Sequence, residues 1–229
     1  MTDTMRPSHA ETVMLCHEIC TLLGTPHKEV TLDEENSFEA KVAETIVDAL
    51  VKYGKRREQI RKISQMSVLL CQYMGLGQKY CSVLEIASQI YDVGNLSLDA
   101  TIYMKDMKLS FEEFEIIKHH TIIGHDALRA QANPTLDMAA LVSWQHHEWY
   151  DGTGYPQRLK GDQISIAARI VALADTVVTL SSDRPGREKM SFPEIIMHVE
   201  KRKGLHFDPD VVTRFLEHKQ EVQKILGSR

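Results

Sequence analysis

Apolar residues recur at intervals of three and four along almost the whole chain, and strict alternation is scarce, so the sequence predicts helices throughout. A first helix is expected from about His9 to Leu23, stopped near Gly24-Thr25-Pro26. His27 to Asn36 is polar and reads as a loop. From Ser37 onward, Val42, Ile46, Ala49, Leu50 and Tyr53 share one helical face. That pattern continues, with a break near Gly54, through Ile60, Ile63, Leu70 and Tyr73 to Gly75. A helix from about Lys79 to Tyr91 would bury Val83, Leu84, Ala87 and Ile90 and deliver Asp92 at its end. Ser110 and Glu113 form a capping box opening a helix over Phe111, Phe114 and Ile117. Asn133-Pro134 turns the chain into a helix from Leu136 to His147, and Ile164 to Leu180 forms another, carrying Asp175. Ser191 and Glu194 repeat the capping box, and Asp208-Pro209 is an N-cap and first-turn pair for the last helix. The only strand material lies between Tyr155 and Gln163. Composition shifts near residues 34–38. This divides the chain into a helical lead, 1–37, a candidate dimerisation or adaptor segment, and a helical domain, 38–229.

The 229 residues are 43% apolar, enough for an ordinary core, and carry a formal charge of -5. A weakly acidic surface gives no electrostatic reason for general nucleic-acid binding. Of the four cysteines, Cys16 and Cys20 would share a helical face and no CxxC pair occurs, so Cys16, Cys20, Cys71 and Cys81 are expected as buried free thiols in a reducing cytoplasm. Residues 1–12 show no apolar core of a secretory leader. The best apolar stretch, Ile164 to Leu180, is interrupted by Arg169 and Asp175, so no membrane span is expected.

The chemistry concentrates in one string, His146-His147-Glu148-Trp149-Tyr150-Asp151-Gly152-Thr153-Gly154-Tyr155-Pro156. Imidazoles are preferred ligands for iron, manganese and zinc. Two adjacent histidines at a helix end can reach one metal if the backbone turns, and Gly152 and Gly154 supply a turn. A histidine pair alone would read as a surface feature, but other motifs accompany it in order. Upstream stands Lys118-x-His120-x-x-x-Gly124. Downstream follow Ala174-Asp175, Arg184-Pro185-Gly186-Arg187 and Phe207-Asp208-Pro209 with Val211-Val212.

Together these motifs resemble the HD-GYP family, bacterial metal-dependent phosphodiesterases that hydrolyse cyclic di-GMP. The resemblance runs from about residue 40 to 216. It implies an all-α, multi-helix HD-superfamily bundle with a short GYP loop or hairpin. It also implies metal ligands at Asp92, His120, His146, His147 and Asp175, and dinucleotide contacts from Gly154, Tyr155, Arg184 and Arg187. His119 falls beside the ligand position and is expected either to point outward or to support the ligands from behind.

The chain departs from the family where the His-Asp-x-Gly-Lys motif should stand, which here reads Tyr91-Asp92-Val93-Gly94-Asn95. By register, an early family histidine falls on Gln59, and a carboxylate that some members use for a third metal falls on Lys55. Of the ligands the resemblance implies for one metal, only Asp92 and Asp175 remain; for the other, Asp92, His120, His146 and His147 are all present. One divalent metal, Fe, Mn or Zn, is therefore expected, with the second site impaired. A two-metal hydrolysis clamps both attacking and leaving oxygens, which one metal does less well. Two outcomes stay open at this point beside a structural HD-related output domain with no metal or nucleotide, against which the three preserved histidines argue. One is a degenerate module in cyclic-di-GMP signalling that binds a metal, cyclic di-GMP or a related dinucleotide, or a partner such as a diguanylate cyclase, with lost or weak hydrolysis. The other is an active phosphodiesterase with an altered centre. Val178 stands where many members hold a guanine with an aspartate, which weakens the expectation of guanine specificity.

Overall fold

The computed structural model describes residues 32–103, 105, 109–129, 133–183 and 188–227. The expected helix at His9 to Leu23, Cys16, Cys20, Arg184 and Arg187 all lie outside the described residues. Among the described residues the fold is all helical, as the sequence predicts: α1 Leu32–Lys52, α2 Arg57–Tyr73, α3 Gln78–Ile90, a 3-10 turn at Tyr91–Ser97, α4 Ala100–Tyr103, α5 Phe111–Leu128, α6 Pro134–Gln145, α7 Ile166–Leu180, α8 Phe192–Glu200, α9 Pro209–Glu217 and α10 Lys219–Leu226.

The caps fall where polar side chains can satisfy the free amides of a first turn. Ser110 and Glu113 make the expected reciprocal box, as do Ser191 and Glu194. Asn133 accepts from the amides of Thr135 and Leu136, and Asp208 accepts from those of Asp210 and Val211. The break near Gly54 is real, and Gly54 adopts φ 115 between α1 and α2.

Three expectations are corrected. The long helix begins at Leu32 rather than at Ser37, so its polar first turn belongs to the helix and not to the preceding loop. Tyr155 to Gln163 forms no strand. The segment is a series of bends ending in a 3-10 turn at Gly161–Gln163, because its amides are taken by the Glu148 carboxylate rather than by a neighbouring strand. Cys71 and Cys81 are paired as a disulfide, with Cα atoms 5.7 Å apart, where free thiols were expected. The Met74–Gly77 turn, with Gly75 at φ 72, folds the end of α2 onto the start of α3 and brings the two sulfurs together. Cysteine usage therefore no longer argues for a reducing compartment. No helix among the described residues is long and apolar enough to cross a membrane.

Two apolar clusters form the interior. One gathers Leu70, Leu84, Ile170, Leu173, Val177, Val199, Phe207 and Phe215 from α2, α3 and the helices after the GYP segment. The other gathers Ile46, Leu50, Ile90, Leu96, Leu128 and Leu136 from α1, α3, α5 and α6. The 3-10 turn lies on the seam. Tyr91 packs into the first cluster and Val93 into the second, which leaves Asp92 between them. Glu39 ties α1 to the start of α6 by accepting from Asn133 and Thr135 at 2.8 and 2.9 Å.

Candidate metal centre

Three elements bring the site together. The 3-10 turn after α3 presents Asp92, the middle of α5 presents His120, and the end of α6 presents His146 and His147. α5 and the turn approach so closely that each is glycine at the crossing: a Cβ on Gly94 would meet the His120 carbonyl oxygen and, at 2.7 Å, the Gly124 amide nitrogen. At the other end, His146 caps α6 and His147 leaves the helix. The amide of Tyr155 then donates to the His147 carbonyl at 3.1 Å, and Gly154 lies where any side chain would strike the backbone of residues 147–149. This return is what lets two adjacent imidazoles point to one place.

His120, His146 and His147 offer ring nitrogens that all lie within 4.8 Å of one another. The Nε2 atoms of His120 and His146 are 3.3 Å apart, and each is 3.6 Å from Asp92 Oδ1. Their Nδ1 atoms face backbone carbonyls, of Ile117 at 2.6 Å and of Val142 and Ser143 at 3.1 and 2.9 Å. A carbonyl only accepts, so each Nδ1 carries the proton and the inward Nε2 of a neutral ring presents its lone pair. Burial pushes His120 down to about 4, and burial with the neighbouring imidazoles holds His147 well below the usual histidine range. Burial alone would raise the Asp92 carboxyl; the Lys55 ammonium, with His146 and His120, outweighs it and holds Asp92 well below the usual carboxylate range. Three ring nitrogens thus cluster beside a buried carboxylate, a donor set that suits a divalent metal ion.

Asp175 is half-buried on α7 and accepts from Thr179 at 3.5 Å. Burial, then the charges of Asp92 and Asp175, raise the Tyr155 hydroxyl above the usual tyrosine range, so both carboxylates lie near this hydroxyl. Gln59 lines a separate cleft with Lys62, Ser182 and Lys189, and makes no hydrogen bond to Asp92. Tyr91, in the place of the family histidine, is buried edge-on against His146 with ring centroids 4.8 Å apart. Val178 is fully buried in the core.

Beside the histidines opens a cleft of about 780 Å³, lined in part by Phe114, Lys118, His119, Trp149, Tyr155 and Arg158. Tyr155 stacks on His147 at 4.8 Å, and both Tyr155 and Gly154 line the cleft. Lys118 Nζ lies 4.8 and 5.5 Å from the Phe114 and Tyr155 ring centroids and 2.5 Å from Glu115. Aromatic faces beside a cation suit a planar, anionic ligand. His119 is exposed, as expected, yet it lines this cleft.

Reading the sequence missed two residues. Glu148 is buried and accepts from the amides of Gln157 at 2.6 Å and Leu159 at 3.0 Å, fixing the loop that carries Tyr155. Lys55, placed by register only as a lost carboxylate, forms an ion pair with Asp92 Oδ2. The glutamate's place between the histidines and the glycines could have signalled its role; nothing local could have signalled the lysine's.

A family model described as an HD domain matches residues 40–211. The chain is 31% identical over 73% of its length to the cyclic di-GMP phosphodiesterase response regulator RpfG of Xanthomonas campestris pv. campestris, covering 44% of that protein. It is 32% identical over 72% of its length to a cyclic di-GMP phosphodiesterase of Thermotoga maritima, covering 45% of it. It is 29% identical over 88% of its length to the 3'3'-cGAMP-specific phosphodiesterase 2 of Vibrio cholerae, covering 36% of it. The chain thus spans less than half the length of these curated relatives. Among solved structures, an HDG"Y"P protein from Bdellovibrio bacteriovorus shares the fold with a TM-score of 0.60 at 15% identity, over 92% of this chain and 72% of that one. The ordered motifs around the three histidines and the match over residues 40–211 place the chain in the HD domain family, among its HD-GYP members.

Proposed function

We propose that the protein is a degenerate HD-GYP module of cyclic-dinucleotide signalling. In this reading it holds one divalent metal through Asp92, His120, His146 and His147, and it binds cyclic di-GMP or a related dinucleotide with lost or weak hydrolysis. The observation that carries the reading is the asymmetry around Asp92. One carboxylate oxygen faces two imidazole nitrogens at 3.6 Å, while the other faces Lys55, and Tyr91 fills the space beside His146. A bound metal would supply a Lewis acid to a phosphate oxygen. Asp92 and the three histidines would hold it, the Nδ1 protons of His120 and His146 anchored on backbone carbonyls. Tyr155 and Lys118 would position the dinucleotide in the adjoining cleft, together with Arg184 and Arg187, which follow α7 in sequence. Asp175, on α7, is the further ligand that the resemblance implies. A protein partner such as a diguanylate cyclase, or a second copy of the chain, would then read the ligand-bound state.

A second reading is an active phosphodiesterase with an altered metal centre, favoured by the complete three-histidine cluster and by the phosphodiesterase names of the relatives. Incubating the metal-loaded protein with cyclic di-GMP and with 3'3'-cGAMP, and following both binding and products, separates the two. Binding without products supports the degenerate module. Products at a metal-dependent rate support the enzyme, and absence of binding removes both.

A further inference from the structure

We propose that the Lys55 ammonium is a tethered cation standing where a second metal would share Asp92, so that the chain itself limits the centre to one metal. The inference rests on the one-metal reading above and names the residue that enforces it.

Asp92 divides its two oxygens. Oδ1 faces His120 Nε2 and His146 Nε2, each at 3.6 Å, and Oδ2 is ion-paired with Lys55 Nζ. A carboxylate that bridges two metals gives one oxygen to each, and here the second oxygen is already held by a fixed positive charge. The pair is not a surface bridge: the Lys55 side chain is 16% exposed and that of Asp92 10%. Such a buried pair is hard to part without stranding a charge. Lys55 also lies 5.9 Å from the centre of the Tyr91 ring, so the ammonium and the ring that replaces the histidine occupy one region. Its position is set by backbone: Gly54 reverses the chain at φ 115, and the Lys55 amide donates to the Leu50 carbonyl at 2.9 Å.

An ammonium differs from a metal in two ways that matter. It has one positive charge and three N–H donors, so it neutralises a carboxylate and attracts phosphate. It has no vacant orbital, so it cannot acidify a water as a metal does. A centre with one metal and one ammonium therefore retains attraction for an anionic ligand while losing half of the hydrolytic apparatus. A second dication brought to Asp92 would also be repelled by Lys55 at close range in a poorly solvated site.

The test compares the full chain with Lys55→Gln, Lys55→Glu and Lys55→Arg. Each protein is stripped of metal, checked by thermal unfolding, and reloaded with Zn(II) or Mn(II) alone. Metal per chain is then read by elemental analysis, and Zn(II) affinity by competition with a chromophoric chelator. The parent and Lys55→Arg are expected to bind one metal. Lys55→Gln should hold its metal about tenfold more tightly or better, and Lys55→Glu should take up a second. Two metals on the parent, or variants that match it in both number and affinity, overturn the assignment of Lys55 alone. No metal on any of the proteins overturns the metal centre itself, and the inference with it.

Discussion

Gly94 and Gly124 meet back to back where the 3-10 turn crosses α5, and neither has room for a side chain. A Cβ on Gly94 would come 2.7 Å from the Gly124 nitrogen, and one on Gly124 would come 3.1 Å from the Gly94 nitrogen and strike Ser143 Oγ. This contact sets the distance between Asp92 and His120. Gly94→Ala should cost about 3 kcal/mol, because the obstacle is backbone and cannot rotate away, and it should weaken metal binding as the two ligands part. Gly124→Ala should cost less and be partly restored by Ser143→Ala, since its worst contact is a side-chain oxygen. Urea unfolding of the single and double variants measures both.

Glu148 links the histidine pair to the cleft that Tyr155 lines. Removing its carboxylate leaves the amides of Gln157 and Leu159 without their acceptor. Glu148→Ala should cost about 3 kcal/mol, taking roughly 1.5 kcal/mol for each charge-assisted bond. It should also reduce dinucleotide affinity more than metal content, because Tyr155 moves while His120 and His146 keep their anchors. Calorimetric titration with cyclic di-GMP beside elemental analysis distinguishes this from general unfolding.

Asp92→Asn should destabilise the metal-free protein by about 3 kcal/mol, because it takes the carboxylate charge away from a mostly buried Lys55 ammonium. Asp92→Asn combined with Lys55→Met should recover most of that stability, yet neither variant should bind metal as the parent does. A double-mutant cycle in chemical denaturation gives the coupling directly.

His206 supplies a pH dependence outside the metal centre. It stacks between Trp149 and Phe207, at 4.6 and 4.1 Å, and its backbone carbonyl accepts from the Tyr150 amide at 3.1 Å. Burial, with Arg202 and His198 nearby, pushes it down to about 4. The unfolded chain therefore takes up the proton first as pH falls. The stability that neutral His206 contributes is full above about pH 6.5 and is lost as pH drops toward 4, amounting to at most about 3 kcal/mol. His206→Phe should flatten the stability–pH curve in that window, measured by thermal unfolding of the metal-free protein.

Much of this molecule could be read from residue pattern. The caps at Ser110, Asn133, Ser191 and Asp208 are local chemistry, in which a short polar side chain answers amides two or three residues on. The three histidines and Asp92 were legible because their motifs are dense and ordered. What escaped depends on distance in sequence. Lys55 reaches Asp92 across 37 residues. The pairing of Cys71 with Cys81 depends on how tightly the turn at Met74–Gly77 closes. The Tyr155–Gln163 segment reads as the chain's only strand material, but two of its amides are held by a glutamate side chain. Asp175 was placed by resemblance to a shared motif alone.

The most direct test is the metal content of freshly purified, tag-free protein, taken together with its turnover of cyclic di-GMP in added Mn(II) or Fe(II). A centre built on Asp92, His120, His146 and His147, with Lys55 across the carboxylate, gives about one metal per chain and no turnover. Two metals per chain with turnover would contradict it, and would mean that neither Tyr91 nor Lys55 closes the second site.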